Sequence, residues 1–161
     1  MPPDPYRVLF VCMGNICRSP AGEGVLEHLL RGDPLGNLVE IDSAGTIDLH
    51  TGKRADPRMR AAAEIRGIEL PSRARQVRRA DLDQFDLILA MDDDNLADLV
   101  SIRGQRESRA ELRRFCDLCS NHDDPEVPDP YYGGDGGFEH VLDLLHDGCS
   151  NLIAELHRHF D

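Results

Sequence analysis

The segment from Cys12 to Arg18 carries a thiol and a guanidinium at a spacing that suits chemistry on a phosphate ester. It reads Cys-Met-Gly-Asn-Ile-Cys-Arg, and Ser19 and Pro20 follow it. In a tight loop that opens a helix, successive backbone N–H groups and the helix N-terminus form a nest for an anion. The same positive potential stabilises a thiolate, and the donors of Arg18 can hold two phosphate oxygens. These residues predict a nucleophile and a phosphate cradle within one loop.

The surroundings of this loop favour that interpretation over a simpler one, in which Cys12 is a packed core cysteine and Arg18 a solvated helix residue. The loop lies between a predicted buried strand and a predicted helix, with Ser19 expected as N-cap and Pro20 as first helical residue. Asn15 tolerates left-handed backbone geometry, and its amide can brace the loop. Neither of the glycine-rich nucleotide-binding signatures follows this strand, which disfavours nucleotide binding.

Hydrolysis of a phosphate ester also needs an acid that protonates the leaving oxygen, and the chain has thirty acidic residues from which to choose. Asp129 is distinctive because Pro128 and Pro130 stiffen its backbone, and because Tyr131 and Tyr132 follow it as candidate walls of a cleft. The alternative is an ordinary Pro-Asp turn with surface tyrosines, and these residues alone favour that alternative.

Strands and helices alternate along the chain, which predicts an α/β fold with a parallel sheet and helices on both of its faces. Ligands bind such sheets at the carboxyl ends of the strands, so the loop after the first strand is a favoured site. We expect one domain over residues 1–161. Strands are predicted at 6–11, 38–43, 75–77, 85–90 and 112–115, and helices at 20–30, 57–66, 92–101 and 138–160, with a long loop at 121–137.

Composition limits the partners. The formal net charge is -12, so nucleic acids and anionic membranes should repel the chain, and an anionic substrate needs a local positive site. The sequence has no run of about 18 apolar residues, so no membrane-spanning helix is predicted. The N-terminus lacks the features of a signal peptide. Five cysteines, an odd number, argue against a disulfide framework. We therefore expect a cytoplasmic protein with no nucleic-acid partner and no membrane insertion.

Two separated motifs together resemble the low-molecular-weight protein tyrosine phosphatase family. They are the segments 11–20 and 129–133, and 42–46, 74–76 and 91–92 also match family segments in the right order. The resemblance covers nearly the whole chain. It implies a four-stranded parallel sheet with a phosphate-binding loop between the first strand and first helix, and no metal or organic cofactor. It implies a phosphotyrosine-containing protein or peptide as substrate, with phosphate-like or sulfate-like anions in the active site.

The resemblance also implies roles for individual residues. Cys12 would be the nucleophile, Arg18 the phosphate binder, and Asp129 the general acid and then the general base. Cys17 would form a reversible disulfide with Cys12, and the tyrosine pair can be phosphorylated in this family. Asn15, Ser19 and Ser43 would brace the loop. The substrate-binding residues would be Met13, Gly14, Asn15, Ile16, Cys17, Ser19, Leu49, Tyr131 and Tyr132.

The chain departs from the family pattern at two positions. Leu49 stands where relatives usually place an aromatic residue that stacks on the substrate ring, and His50 follows it. Ser72 stands where many members place a histidine of the loop-bracing network. The first departure bears on substrate preference, and the second on how firmly Asn15 is held.

Cys116, Cys119 and His122 have the spacing C-x-x-C-x-x-H, which can seed a zinc site, but no fourth ligand is obvious and we favour a half-buried pair of thiols. Cys149 lies on the apolar stripe of the last helix and is expected in the core. The run 92–94 is expected to cap a helix rather than bind metal. The histidines of the last helix are expected at the surface: His140, His146, His157 and His159.

Two other functions were weighed. An arsenate reductase on the same scaffold would use Cys12 with Cys116 and Cys119 as a thiol relay. However, a reductase does not require Asp129, and the close spacing of the two thiols is unusual for a relay. A non-catalytic phosphotyrosine-binding module would have no use for a thiol at position 12.

Overall fold

Four parallel strands form the sheet, in the order β2-β1-β3-β4. The computed structural model describes residues 4–132 and 136–160. The strands are β1 (Tyr6–Cys12), β2 (Val39–Gly45), β3 (Leu87–Ala90) and β4 (Glu111–Arg114). The helices are α1 (Arg18–Leu30), α2 (Pro57–Ile65), α3 (Asp81–Gln84), α4 (Asp93–Arg103) and α5 (Gly136–Phe160), and short 3₁₀ turns lie at Pro34–Asn37, Phe115–Leu118 and Pro130–Tyr132. The predicted fold class is confirmed.

Strand β1 is buried on both faces, which explains its continuous apolar sequence. The side chains of Val8 and Phe10 pack with helices α1, α2 and α5 in one hydrophobic cluster. Those of Leu9 and Val11 pack with α3 and α4 in a second cluster on the opposite face. Cys149 is fully buried in the first cluster, as predicted.

The start of α1 differs from the prediction. The helix begins at Arg18 and its N-cap is Cys17, which makes no side-chain cap hydrogen bond. Ser19 therefore lies inside the first turn, and Pro20 is the third helical residue. Proline is tolerated there because the first-turn N–H groups have no partner within the helix. The hydroxyl of Ser19 is thus free to serve the preceding loop.

Two further element predictions need correction. Residues 75–77 do not form a strand, because Gln76 makes only an isolated bridge to Gly45 at the end of β2. The strand predicted at 85–90 is shorter, since helix α3, which the sequence analysis missed, ends just before Phe85. That helix has only four residues, too few to show a helical period in the sequence. In contrast, Asp92 caps α4 as predicted, and its side chain accepts a hydrogen bond from the Asn95 amide.

No helix in the described parts of the chain is both long and apolar enough to cross a membrane.

Candidate active site

The loop that joins β1 to α1 lies at the point in the sheet where the strand order reverses. Strand β1 pairs with β2 on one side and with β3 on the other, so the connections after β1 and after β3 leave the sheet on opposite sides. In sheets of this kind, the carboxyl ends of the strands at the switch point form a crevice. Cys12 is the last residue of β1 and is only 2% exposed. The topology therefore places the thiol at the base of the crevice.

Two hydrogen-bonding groups converge on the sulfur of Cys12. The backbone N–H of Asn15 donates to Cys12 Sγ over 3.3 Å, and the Ser19 hydroxyl lies 3.0 Å from the same sulfur. Both groups come from the loop and first turn that follow the cysteine. They fix the position of the sulfur at the base of the crevice, which suits a nucleophile.

The guanidinium of Arg18 is held from three directions. Its Nη1 donates to Asp92 Oδ2 over 2.6 Å and to the Val127 carbonyl over 3.1 Å, while its Nη2 lies 3.6 Å from Asp129 Oδ2. Burial lowers the pKa of Arg18, but the neighbouring Cys12 and the two carboxylates outweigh it and raise the pKa above its ordinary value. Arg18 therefore stays charged although it is 3% exposed.

Asp92 is a site residue that the sequence analysis assigned only to helix capping. Its Oδ1 accepts from the Asn95 amide at the start of α4, and its Oδ2 accepts from Arg18. One carboxylate thus caps a helix and orients the guanidinium. The sequence signal that could have revealed this second role is the position of Asp92 directly after β3, at the same edge of the sheet as Cys12.

Asn15 braces the loop from a left-handed backbone conformation, which asparagine tolerates better than most non-glycine residues. Its φ is 56°, and no other non-glycine residue in the described parts of the chain has a positive φ. The side-chain amide donates to Ser19 Oγ over 2.7 Å and to Ser43 Oγ over 3.0 Å. Its oxygen accepts from the Arg75 backbone amide over 3.0 Å. The side chain therefore offsets the cost of the left-handed backbone with three hydrogen bonds.

A buried carboxyl extends this network to Ser72. The Ser43 hydroxyl donates to Glu23 Oε1 over 2.6 Å, and Glu23 is also hydrogen-bonded to Ser72. Burial, together with the charges of Asp42 and Glu27, raises the pKa of Glu23, and the hydrogen bonds from the two serines oppose this rise only in part. The structure therefore connects Ser72 to Asn15 through Glu23 and Ser43. Glu23 was missed, because no local pattern distinguishes it from other helix surface acids.

Arg75 joins the brace to a second set of charges. Its guanidinium contacts Asp42 Oδ2 and Asp81 Oδ2, each at 3.0 Å, and Asp81 is fully buried. Burial lowers the pKa of Arg75, yet its bonds to the two acids raise the pKa overall. This pairing holds the 75–77 segment against β2 and thereby positions the amide that contacts Asn15. From the sequence, this segment is predicted only as a short strand and, over 74–76, as a match to a family segment.

A cleft of about 120 Å³ opens over Cys12. Leu49 is 70% exposed at its rim, and Met13 and Tyr131 are also exposed. Asp129 lies in the cleft wall, and its Oδ1 accepts from the Tyr131 amide over 3.0 Å. The side chain of Tyr132 lies outside the described residues. The residues that line the cleft are Cys12, Met13, Gly14, Ile16, Cys17, Arg18, Ile47, Leu49, His50, Asp129 and Tyr131.

The remaining cysteine motif lies elsewhere. Cys116 and Cys119 belong to the turn after β4 and do not line the cleft. His122 bonds through Nδ1 to Asp147 over 2.8 Å. Within residues 4–132 and 136–160, no group of three or more His, Cys, Asp or Glu side chains is arranged to hold a metal ion.

Comparison with known proteins gives a consistent result. Residues 7–161 match the family model described as low molecular weight phosphotyrosine protein phosphatase. A Synechocystis protein that carries the name low molecular weight protein-tyrosine-phosphatase provisionally is 45% identical over 150 residues, which is 93% of this chain and 96% of the relative. The protein of that name from Streptomyces coelicolor is 41% identical over 151 residues, covering 92% of each chain.

A solved structure extends the comparison to the fold. The protein tyrosine phosphatase from Entamoeba histolytica, crystallised with Hepes in its active site, superposes with a TM-score of 0.91. It is 41% identical to this chain, and the match covers 97% of this chain and 99% of that one.

Proposed function

The chain belongs to the low molecular weight phosphotyrosine protein phosphatase family. On that basis we propose that Cys12 attacks the phosphorus of phosphotyrosine and forms a cysteinyl-phosphate intermediate. The observation that carries this proposal is the convergence of the Asn15 amide and the Ser19 hydroxyl on Cys12 Sγ. The sulfur of Cys12 is buried, contacts both of these groups and lies in the same loop as the buried Arg18. Such surroundings stabilise the negative charge of an attacking thiolate.

The phosphate of the substrate binds to the groups of the loop that carry positive charge or positive potential. The phosphate is held by backbone N–H groups of residues 13–18 and by the guanidinium of Arg18. Asp92 and the Val127 carbonyl keep that guanidinium in place before substrate arrives, so less of the binding energy is lost in ordering it. The Hepes in the active site of the Entamoeba relative, whose sulfonate resembles a phosphate, supports anion binding here.

Two chemical steps follow. The thiolate of Cys12 forms the S–P bond while the P–O bond to the tyrosine ring breaks, and Asp129 gives its proton to the leaving oxygen. Asp129 then takes a proton from water, whose oxygen attacks phosphorus, and the S–P bond breaks to release inorganic phosphate and the thiolate. The Ser19 hydroxyl donates to the sulfur as it leaves. The short separation of Asp129 from Arg18 supports this assignment, because the acid faces the phosphate clamp.

Cys17 is proposed to protect the nucleophile. It lies in the same cleft, and burial, followed by the charge of Asp56, raises the pKa of its thiol. Cys17 therefore stays protonated while Cys12 reacts with an oxidant. It then resolves the oxidised Cys12 into a reversible disulfide. Such chemistry belongs to a reducing compartment, so we place the enzyme in the cytoplasm. The five free cysteines of the chain agree with that placement.

A peptide panel tests the activity. We expect phosphate release from phosphotyrosine peptides and little from phosphoserine peptides, since a serine stem is too short to bring phosphate to the floor of the cleft. Arsenate is included because the reductase alternative shares the Cys12 loop. The matched control is the double variant Cys116→Ser/Cys119→Ser, which lacks the proposed relay. Arsenate reduction that exceeds phosphatase activity and disappears in this variant would replace the phosphatase assignment.

A further inference from the structure

The pair Cys116 and Cys119 lies on a single tight turn. Residues Phe115–Leu118 form a 3₁₀ turn, and the Cys119 backbone N–H closes it on the Cys116 carbonyl at 3.1 Å. Residues three apart are eclipsed in a 3₁₀ helix, so the two side chains leave the backbone on the same side. The two thiols also influence each other's ionisation, since the pKa of Cys116 is lowered and that of Cys119 raised by their interaction. Forming an S–S bond therefore requires side-chain rotation and little backbone movement.

The backbone around this pair is anchored to α5. The Asn151 side chain donates to the Leu118 carbonyl over 2.7 Å. The carboxylate of Asp147 accepts from the Ser120 amide over 3.1 Å and from the Asn121 amide over 2.9 Å. The turn is consequently held in the same place whether its two sulfurs are separate or bonded.

The two thiols are unequal. The hydrogen bond from Cys119 lowers the pKa of Cys116, although burial and the nearby charges of Asp124, Asp117 and Glu126 oppose this effect. The same contact raises the pKa of Cys119, which is the more exposed of the two. The Leu144 carbonyl, 3.5 Å from Cys119 Sγ, is the alternative acceptor for its single S–H. This asymmetry is typical of C-x-x-C pairs, in which one thiol attacks and the other resolves.

We propose that Cys116 and Cys119 form a second reversible oxidation site, separate from the active-site thiols, at which a small hydroperoxide converts the pair into a disulfide. Cys116 is 8% exposed, and Cys119 is the more exposed of the two, so the pair lies near the surface, where a small oxidant is favoured over a bulky one. Cys149 is the alternative disulfide partner of Cys119, because it is close enough for a negative charge on its sulfur to raise the pKa of Cys119. Cys149 is fully buried, however, so its sulfur is closed to a peroxide that comes from solvent.

The reaction has two balanced steps. The Cys116 thiolate forms an S–O bond with one peroxide oxygen as the O–O bond breaks, and the departing hydroxide takes up a proton to become water. The resulting sulfenic acid is attacked by the sulfur of Cys119, so that an S–S bond forms and the S–O bond breaks. The second oxygen leaves as water with the proton of Cys119. The two thiols lose two electrons, hydrogen peroxide becomes two waters, and a dithiol reductant reverses the change.

Differential labelling of the whole protein tests this proposal. After hydrogen peroxide treatment, the protein is unfolded in denaturant so that N-ethylmaleimide can block every free thiol. Disulfides are then reduced, and the released thiols are labelled with iodoacetamide. We expect mass spectrometry to find the second label on Cys116 and Cys119 together, and the first label on Cys149. No second label on Cys116 and Cys119, at a peroxide concentration that labels Cys12 and Cys17, would overturn the proposal. A second label shared by Cys119 and Cys149, or irreversible oxygen addition at Cys116, would also overturn it.

Two variants define the order of the steps. In Cys119→Ser the disulfide cannot form, so we expect loss of the second label at Cys116 and the appearance of a dimedone adduct there. In the control Cys149→Ser, labelling of the pair should be unchanged. Peptide hydrolysis by Cys116→Ser/Cys119→Ser should match the unaltered protein before oxidation. Absence of the dimedone adduct at Cys116 in Cys119→Ser would exclude Cys116 as the attacking thiol, and the labelling of the unaltered protein decides the pairing even if a variant folds poorly.

Discussion

The backbone amide of Arg75 donates a hydrogen bond of 3.0 Å to Oδ1 of Asn15 and thereby ties the loop around Cys12 to a segment sixty residues further along the chain. Because that oxygen is occupied, the amide nitrogen of Asn15 must face Ser19 and Ser43. The orientation of the Ser19 hydroxyl, which contacts the Cys12 sulfur, is therefore set partly by Arg75.

Replacing Cys12 with serine should remove turnover by several orders of magnitude, because a hydroxyl is a far weaker nucleophile than a thiolate. Phosphate binding should persist, since the nest is built from backbone N–H groups and Arg18. Steady-state kinetics and calorimetric titration with phosphate measure the two properties. Cys119→Ser, outside the cleft, is the control. Substantial turnover by Cys12→Ser would show that another residue is the nucleophile.

Replacing Asp129 with alanine should slow hydrolysis most for substrates whose leaving groups are strongly basic. An activated aryl phosphate leaves without much protonation and should be affected less. A plot of log kcat against leaving-group pKa should become steeper in the variant. Asp123→Ala, an exposed acid of the same loop region, is the control. An equal loss for every leaving group would mean that Asp129 has only a structural role.

Asp92→Asn should lower kcat/KM by roughly ten- to hundredfold, since a hydrogen bond to a charged group is worth about 1.5–3 kcal/mol. An asparagine that keeps its oxygen toward the Asn95 amide turns its NH₂ group toward Arg18, where it cannot accept. The matched control is Asp94→Asn, which alters an exposed acid of the same helical turn. If both variants lose activity equally, Asp92 acts only through the helix terminus.

Glu23→Gln should change how stability depends on pH. Burial raises the pKa of Glu23 in the folded protein above the unfolded value of about 4.3. The folded state thus binds the proton more tightly, and stability falls as pH rises from about 4.3 through the folded pKa. Glutamine cannot ionise, so the difference in unfolding free energy between the variant and the unaltered protein should shift in the variant's favour across that window.

Urea unfolding at a series of pH values measures this difference. Glu27→Gln is the control because it changes an exposed acid on the same helix. A difference between Glu23→Gln and the unaltered protein that does not vary with pH would show that the Glu23 carboxyl does not titrate differently on folding.

Leu49→Trp should improve hydrolysis of aryl phosphates by no more than about three- to tenfold, because ring stacking contributes about 0.5–1.5 kcal/mol beyond area burial. Leu49 lies at the cleft rim with 70% of its surface exposed, so the larger side chain of tryptophan can be accommodated. Ile65→Trp, at an exposed position that does not line the cleft, is the control. A lower kcat/KM for every aryl substrate would place position 49 outside the substrate path.

The residues found from the sequence and those missed differ in a physical way. Cys12, Arg18 and Ser19 are neighbours in the chain, so their types and spacing were visible, and the alternation of elements predicted the fold class. Asp92 acts on Arg18 across 74 residues, and Glu23 acts on Ser43 across 20. With thirty acidic residues in the chain, composition could not select these two. Such pairings exist only after the sheet has brought the strand ends together.

The hydrogen bond from Arg18 to the Val127 carbonyl can form only late in protein synthesis. The segment around Val127 is docked by the Val127 amide on the Met91 carbonyl at 2.8 Å, and the bond to Arg18 spans 109 residues. A ribosome makes Cys12 and Arg18 early and Val127 and Asp129 late. During that interval the nascent chain carries Cys12, the proposed nucleophile, without the contacts that orient Arg18. Translation must pass residue 129 before Arg18 and Asp129 can face each other, so a chain arrested earlier would carry the proposed nucleophile without the rest of the proposed site.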